Sequence, residues 1–105
     1  MHMTDHQLTA ELAVRGMGWK TTSGRFLKPG KSWTPMSRFK PLDRIEVAFQ
    51  LLEHAGAKYR LSADGKGRFT AEVRVGSRKG KASGSAKARV VSMALAVALG
   101  IGVSS

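Results

Sequence analysis

The sequence predicts an α+β fold in which helices pack on a three-stranded antiparallel meander. Two patterns predict it. Apolar residues recur at helical spacing between 45 and 55, which indicates one buried helix face. Further along, apolar and polar residues alternate over 59–63 and 69–75, as they do in half-buried strands. The chain of 105 residues suits one core, so we expect a single domain spanning 1–105.

The N-terminal helix is predicted by its capping residues. Thr4 and Gln7 have the spacing of a capping box, so we expect a short helix within 1–16. Segment 17–40 follows and is basic and rich in glycine, proline and aromatic residues. It is expected to form two short strands around a turn at Ser23 and Gly24, or an ordered loop whose aromatic residues are anchored in the core.

Segment 41–100 is expected to form an α-β-β-β-α core. Pro41 suits the first position of a helix, which we place at about 41–55, because its missing N–H is no loss there. Gly56 suits the residue that ends this helix, since glycine adopts the left-handed conformation without strain.

The strands and the last helix are separated by turn and capping residues. Residues 64–67, Asp-Gly-Lys-Gly, predict a hairpin turn between the first two strands. A third strand is expected at about 79–83, after a second glycine-containing turn. Ser83 or Ser85 can cap a final helix that runs to about Leu99.

The final helix carries apolar residues on every side, more than one sheet face can bury. A helix of this kind either is sandwiched between two layers or lies in a subunit interface. We therefore weigh two expectations, burial within the chain and a homodimer formed through the C-terminal helix.

The charge distribution is the most informative feature for function. Eighteen lysines and arginines stand against seven acids, which gives a net charge of +11. Residues 15–42 hold seven bases and residues 73–105 hold six, and neither stretch contains an acid. Such blocks repel themselves and are typical of proteins that bind a polyanion.

Catalytic chemistry finds little support in the sequence. Cysteine is absent, which excludes thiolate zinc sites and cysteine nucleophiles. Residues 24–32 are similar to a phosphate-binding loop, but five residues separate the glycines where the motif has four. His2, His6 and His54 do not have the spacing of metal ligands. We expect no enzyme, no cofactor and no metal, and the apolar run at 90–103 is too short to cross a membrane.

Basic residues near turns and on the open sheet face are the predicted binding site for phosphates. They are Arg25, Lys28, Lys31, Arg74, Arg78, Lys79, Lys81, Lys87 and Arg89. The turn before Arg78 is expected beside the N-terminus of the last helix, where backbone N–H groups favour anions. Arg60 and Arg68 are expected to extend the patch. The aromatic residues of 17–40 are expected either in the core or stacked on unpaired bases.

Two resemblances complete the sequence interpretation. Residues 68–99, a strand, a turn, a strand and an alanine-rich helix, resemble the C-terminal half of a double-stranded-RNA-binding domain. Nearly the whole chain is similar to the phage αβα-sandwich domain of small phage and prophage proteins. That likeness rests on Met17-Gly18-Trp19-Lys20, then on Phe39, Pro41, Asp43 and Ala48 at the opening of the main helix. It implies a fold and a phage or mobile-element setting, but no activity.

The sequence therefore favours a non-enzymatic, basic phage or mobile-element protein that binds nucleic acid, DNA or RNA, mainly through phosphate contacts. One alternative is a phage-encoded inhibitor of a host defence system, such as an anti-CRISPR protein that binds a host nuclease or nucleoprotein. A second alternative is a structural oligomer whose charge serves solubility. In each case we expect a location in the host cytoplasm and no membrane partner.

Overall fold

Three helices and two three-stranded antiparallel sheets make up the structure, a computed structural model that describes residues 4–22, 25–28, 33–35 and 39–101. The predicted α+β class and the three-stranded meander are confirmed. Among the described helices, none combines the length and the hydropathy needed to cross a bilayer.

Helix α1 spans Asp5–Glu11 and begins with the predicted capping box. The Gln7 N–H donates to Thr4 Oγ1 at 3.1 Å, and the Thr4 N–H donates to Gln7 Oε1 at 2.9 Å. The chain then continues as a π-helical turn over Leu12–Gly16. A Cβ atom on Gly16 would lie 2.9 Å from Cδ2 of Leu51, so a larger residue there would require the Leu51 side chain to shift.

The basic segment forms a small sheet of strands β1 (Lys20–Thr22), β2 (Arg25–Leu27) and β3 (Trp33–Pro35). The sequence predicts two strands here. The structure adds a third, β3, which follows a stretch in which apolar and polar residues do not alternate. The expected turn at 23–24 lies outside the described residues.

Three aromatic residues of segment 17–40 pack together. The rings of Trp19, Phe26 and Phe39 have centroids 5.0–5.8 Å apart, and Phe26 is 1% exposed. The structure therefore shows core anchoring for these three side chains, with Phe26 and Phe39 buried and Trp19 partly buried.

Helix α2 spans Ile45–His54, so the prediction that it begins at Pro41 is wrong. Residues 41–43 form a turn instead, in which the N–H groups of Asp43 and Arg44 both donate to the carbonyl of Lys40. The buried hydroxyl of Ser92 also donates to the Pro41 carbonyl at 2.7 Å, which ties this turn to the last helix. The end of α2 is as predicted, with Gly56 at φ +67°.

The main sheet contains β4 (Lys58–Ala63), β5 (Phe69–Val75) and β6 (Arg78–Gly84) in the order β4-β5-β6. In the predicted turn between β4 and β5, the Asp64 carboxylate accepts hydrogen bonds from the N–H groups of Lys66 and Arg68. Both pairings are antiparallel, as expected for a meander.

Helix α3 spans Lys87–Ala98 and is sandwiched between the main sheet and α2. Its N-cap is Ala86, without a side-chain hydrogen bond, so the predicted serine cap is wrong. The helix lies so close to β6 that a Cβ on Gly80 would overlap the Ala94 carbonyl oxygen and lie 2.6 Å from the Ala98 nitrogen. This packing within the chain buries most of its apolar side chains. The homodimer stays a prediction.

Candidate nucleic-acid interface

The exposed face of the main sheet is set by the alternation along its central strand. In β5, Ala71 and Val73 are buried against the core, while Glu72 and Arg74 are exposed. Residues paired across the strands share a face, so the register assigns every outward side chain. We call this surface the outer face.

Nine residues form the outer face, in three rows that cross the strands. The rows are Lys58, Arg74 and Lys79; Arg60, Glu72 and Lys81; and Ser62, Thr70 and Ser83. Five bases and one acid therefore share a single surface, and a row of hydroxyl groups lies beside them.

The first row contains only positive charges. Arg74 lies opposite Lys58 on one side and Lys79 on the other, and all three residues are exposed. Side chains in such positions have Cβ atoms about 4.5–5.5 Å apart, and like charges directly opposite destabilise a sheet. The row therefore opposes folding, and an anion bound across it would remove that repulsion.

The second row is partly neutralised. Glu72 lies between Arg60 and Lys81, and its Oε1 is 3.9 Å from Nζ of Lys81. The two side chains are 57% and 67% exposed, so this ion pair contributes little and Lys81 can exchange it for another anion.

The six charged side chains of the first two rows line one concavity of about 560 Å³. The third row places Ser62, Thr70 and Ser83 along one margin of the same face. Lysine, arginine and hydroxyl side chains are the groups that commonly donate to phosphate oxygens. The outer face therefore supplies charge and directional donors together.

Among the predicted site residues, Arg74, Lys79 and Lys81 lie together on the outer face. Arg60 lies there too, as the strand pattern predicts. Lys58 is a further base of this face that the alternation did not indicate, because the apolar-polar pattern begins one residue later, at Tyr59.

Arg78 has a different position. It pairs with Val75, whose side chain is on the inner face, and its Nη1 donates to the carbonyl of Leu99 at 3.3 Å. The turn before β6 therefore lies near the C-terminal end of α3. The expectation that this turn adjoins the N-terminus of α3 is wrong. The whole of β6 lies between the turn and the start of α3, and α3 packs antiparallel to β6.

Lys87 and Arg89 are engaged within the chain. Nζ of Lys87 lies 5.0 Å from the centre of the Phe69 ring, and Nη2 of Arg89 lies 2.8 Å from Oδ1 of Asp5. The hydrogen bond from Arg89 lowers the pKa of the Asp5 carboxyl, against the smaller opposing effect of burial. Arg89 thus joins α3 to α1.

Among the described bases of 15–42, none belongs to the three rows of the outer face. Arg25 is an exposed residue of β2, and Nζ of Lys28 lies 5.3 Å from the centre of the Trp19 ring. Trp19 packs with Phe26 in the core cluster on the inner side of the main sheet. Lys31 lies outside the described residues. The described bases of the first stretch thus lie outside the rows that hold Arg74, Lys79 and Lys81 of the second.

Within the described residues, no cluster of metal ligands competes with this surface. In 4–22, 25–28, 33–35 and 39–101, no three histidine or acidic side chains lie close enough to hold a metal ion. A smaller hollow of about 150 Å³ lies between α1 and the turn before α2, near Asp5 and Phe39. It contains no cluster of bases comparable with the outer face.

Comparison with known proteins identifies the fold. No protein-family model matches the chain, and no curated protein matches it in sequence. A phage protein from Bacillus cereus ATCC 14579, known from a crystal structure, has a similar structure, with a TM-score of 0.71. The match covers 92% of this chain and 89% of that chain. The chain has the fold of a phage protein. At 17% sequence identity the similarity concerns fold alone. The resemblance to a double-stranded-RNA-binding domain stays a prediction.

Proposed function

We propose that this protein is a non-enzymatic nucleic-acid-binding protein of phage or mobile-element origin that holds phosphates on the outer face. The observation that carries the proposal is the row of three bases, Lys58, Arg74 and Lys79, without an intervening acid. A surface that serves only solubility tends to mix both signs of charge. Here the sheet brings like charges together instead.

Binding through this face is electrostatic and independent of base sequence. Each phosphate neutralised by a lysine or arginine releases condensed counterions, which is what makes affinity fall as salt rises. If all five bases of the face contact duplex phosphates, the slope of log affinity against log salt is about −4.5. Affinity then falls by about 500-fold between 50 and 200 mM salt.

The test is a binding titration by fluorescence anisotropy, with labelled duplex DNA, duplex RNA and single strands over a salt series. Arg74→Gln with Lys79→Gln removes two bases of the first row. The matched control, Lys40→Gln with Lys66→Gln, removes two exposed lysines that lie outside the rows. We expect the first variant to reduce the slope by about 1.8 and the control to leave it unchanged. Equal losses in both variants would show that net charge alone causes binding.

The phage-protein fold favours one alternative, an inhibitor of a host defence nuclease. The two functions differ in their response to competitor DNA. An inhibitor that binds the nuclease itself retains its effect when unrelated duplex DNA is added in excess, whereas inhibition by coating the substrate disappears. Cleavage by a guide-loaded CRISPR nuclease, measured with and without such competitor, separates them.

A further inference from the structure

Tyr59 is an aromatic residue that the core does not enclose. Among the aromatic side chains that the structure describes, it is the one left 50% exposed. Phe49 of α2 stacks against it, with ring centroids 5.6 Å apart and an angle of 29° between the planes. The ring is thus held in place by one neighbour while half of its surface remains open to solvent.

The ring is separated from the cationic surface by one strand edge. Tyr59 belongs to β4, an edge strand of the main sheet, and pairs with buried Val73, so its side chain is on the inner face. Its neighbours along the strand, Lys58 and Arg60, belong to the first two rows of the outer face. It also lines the same concavity as the six charged side chains of those rows. An exposed ring and the proposed phosphate-binding bases therefore lie on the two sides of one strand edge.

We propose that Tyr59 stacks on an unpaired base, so that the preferred ligand of the outer face is a single-stranded nucleic acid. This inference rests on the proposed phosphate-binding function. A flexible strand can keep its phosphates beside Lys58 and Arg60 while one base turns over the edge onto the ring. Every base has a π face, so such stacking adds affinity without sequence specificity.

A duplex cannot make the same contact. Its bases are already stacked in the helix interior, and its persistence length of about 50 nm prevents it from bending over a strand edge. A duplex can still lie across the outer face through its phosphates. Tyr59 should therefore discriminate between single strands and duplexes, whereas the first row should bind both.

The test compares three ligands of equal length, which are a single-stranded oligothymidylate, an abasic strand with the same phosphates, and a duplex. Tyr59→Ile removes the ring but keeps a β-branched apolar side chain against Phe49, and Tyr59→Phe keeps the ring. Stacking of one base contributes about tenfold in affinity. We expect Tyr59→Ile to lose about that factor for oligothymidylate and nothing for the other two ligands. Tyr59→Phe should bind as the wild type does.

The outcomes separate this inference from the function on which it depends. If the wild-type protein binds all three ligands equally, or Tyr59→Ile binds oligothymidylate as the wild type does, stacking is refuted and phosphate binding stands. An equal loss for all three ligands also refutes stacking, since a ring that acts through sheet stability affects them alike. If the wild type binds none of the ligands, both phosphate binding by the outer face and base stacking on Tyr59 are refuted.

Discussion

Replacing Arg74 by glutamine should stabilise the free protein while it weakens nucleic-acid binding. Arg74 lies between Lys58 and Lys79 in the first row, so the substitution removes two like-charge pairs at once. It buries nothing and breaks no hydrogen bond found in the described structure, because the side chain points from β5 into solvent. The same change removes one base from the proposed phosphate site.

The size of the effect follows from the strand spacing. Two unit charges about 6 Å apart in water repel by about 0.7 kcal/mol, which gives about 1.4 kcal/mol for the two pairs. At physiological ionic strength the Debye length is about 8 Å, and screening reduces the repulsion to about 0.7 kcal/mol. At 1 M salt the Debye length is about 3 Å, and the repulsion falls to about 0.2 kcal/mol. For a domain of this size, removing the repulsion of about 0.7 kcal/mol raises Tm by about 3–6 °C.

Thermal unfolding followed by circular dichroism, at low and high salt, measures this increase. Lys66→Gln is the control, since Lys66 lies in the hairpin turn outside the rows and the substitution removes the same charge. We expect Arg74→Gln to raise Tm more than the control does, by a margin that shrinks as salt increases. The binding slope should fall by about 0.9 in the same variant. A lower Tm, or a gain that salt leaves unchanged, would refute the argument from like-charge repulsion.

Three further predictions concern contacts within the chain. Asp5→Asn should lower stability by less than about 1 kcal/mol, because its partner Arg89 is partly solvated. The pKa of the Asp5 carboxyl is lowered in the folded state, so the loss of stability in Asp5→Asn is present at neutral pH. It disappears in acid, as the wild-type carboxyl is protonated. Urea unfolding at a series of pH values measures the difference in unfolding free energy between the two proteins. Gly80→Ala should cost about 1–3 kcal/mol in the same assay, since its Cβ meets the α3 backbone. Arg78→Gln should lower Tm but leave the salt slope of binding unchanged, because Arg78 donates to the Leu99 carbonyl.

The parts of the fold that the sequence predicts correctly are those with a strong local period. Helix α2 shows apolar residues at helical spacing, and β5 alternates strictly between Phe69 and Val75. The capping box at Thr4 depends on two side chains and their own backbone, so it too can be predicted from neighbouring residues in the sequence. Contacts between residues distant in the sequence cannot be predicted in this way. Residues 41–43, which precede α2, form a turn whose Pro41 carbonyl accepts a hydrogen bond from distant Ser92, a contact that no local pattern predicts.

The candidate site was predicted less completely than the fold, for a reason that lies in β6. Its inner face consists of Gly80, Ala82 and Gly84, which are small because α3 packs almost on the strand backbone. Glycine and alanine give a weak hydropathy signal, so the sequence does not show which bases point outward. Arg78 therefore looks equivalent to Lys79, although one contacts the end of α3 and the other lies in the first row.

Two outward positions on β5, 72 and 74, differ in a way that supports the proposed binding role of the first row. Glu72 and Arg74 are both exposed on the same face of the strand, and each lies between two bases of the flanking strands. Glu72 shows that this face accepts a carboxylate, which forms a favourable contact with Lys81. A carboxylate at position 74 would gain two such contacts, whereas arginine adds two repulsions. Stability favours the acid there, and the proposed function accounts for the arginine, because a polyanionic ligand would neutralise the whole row.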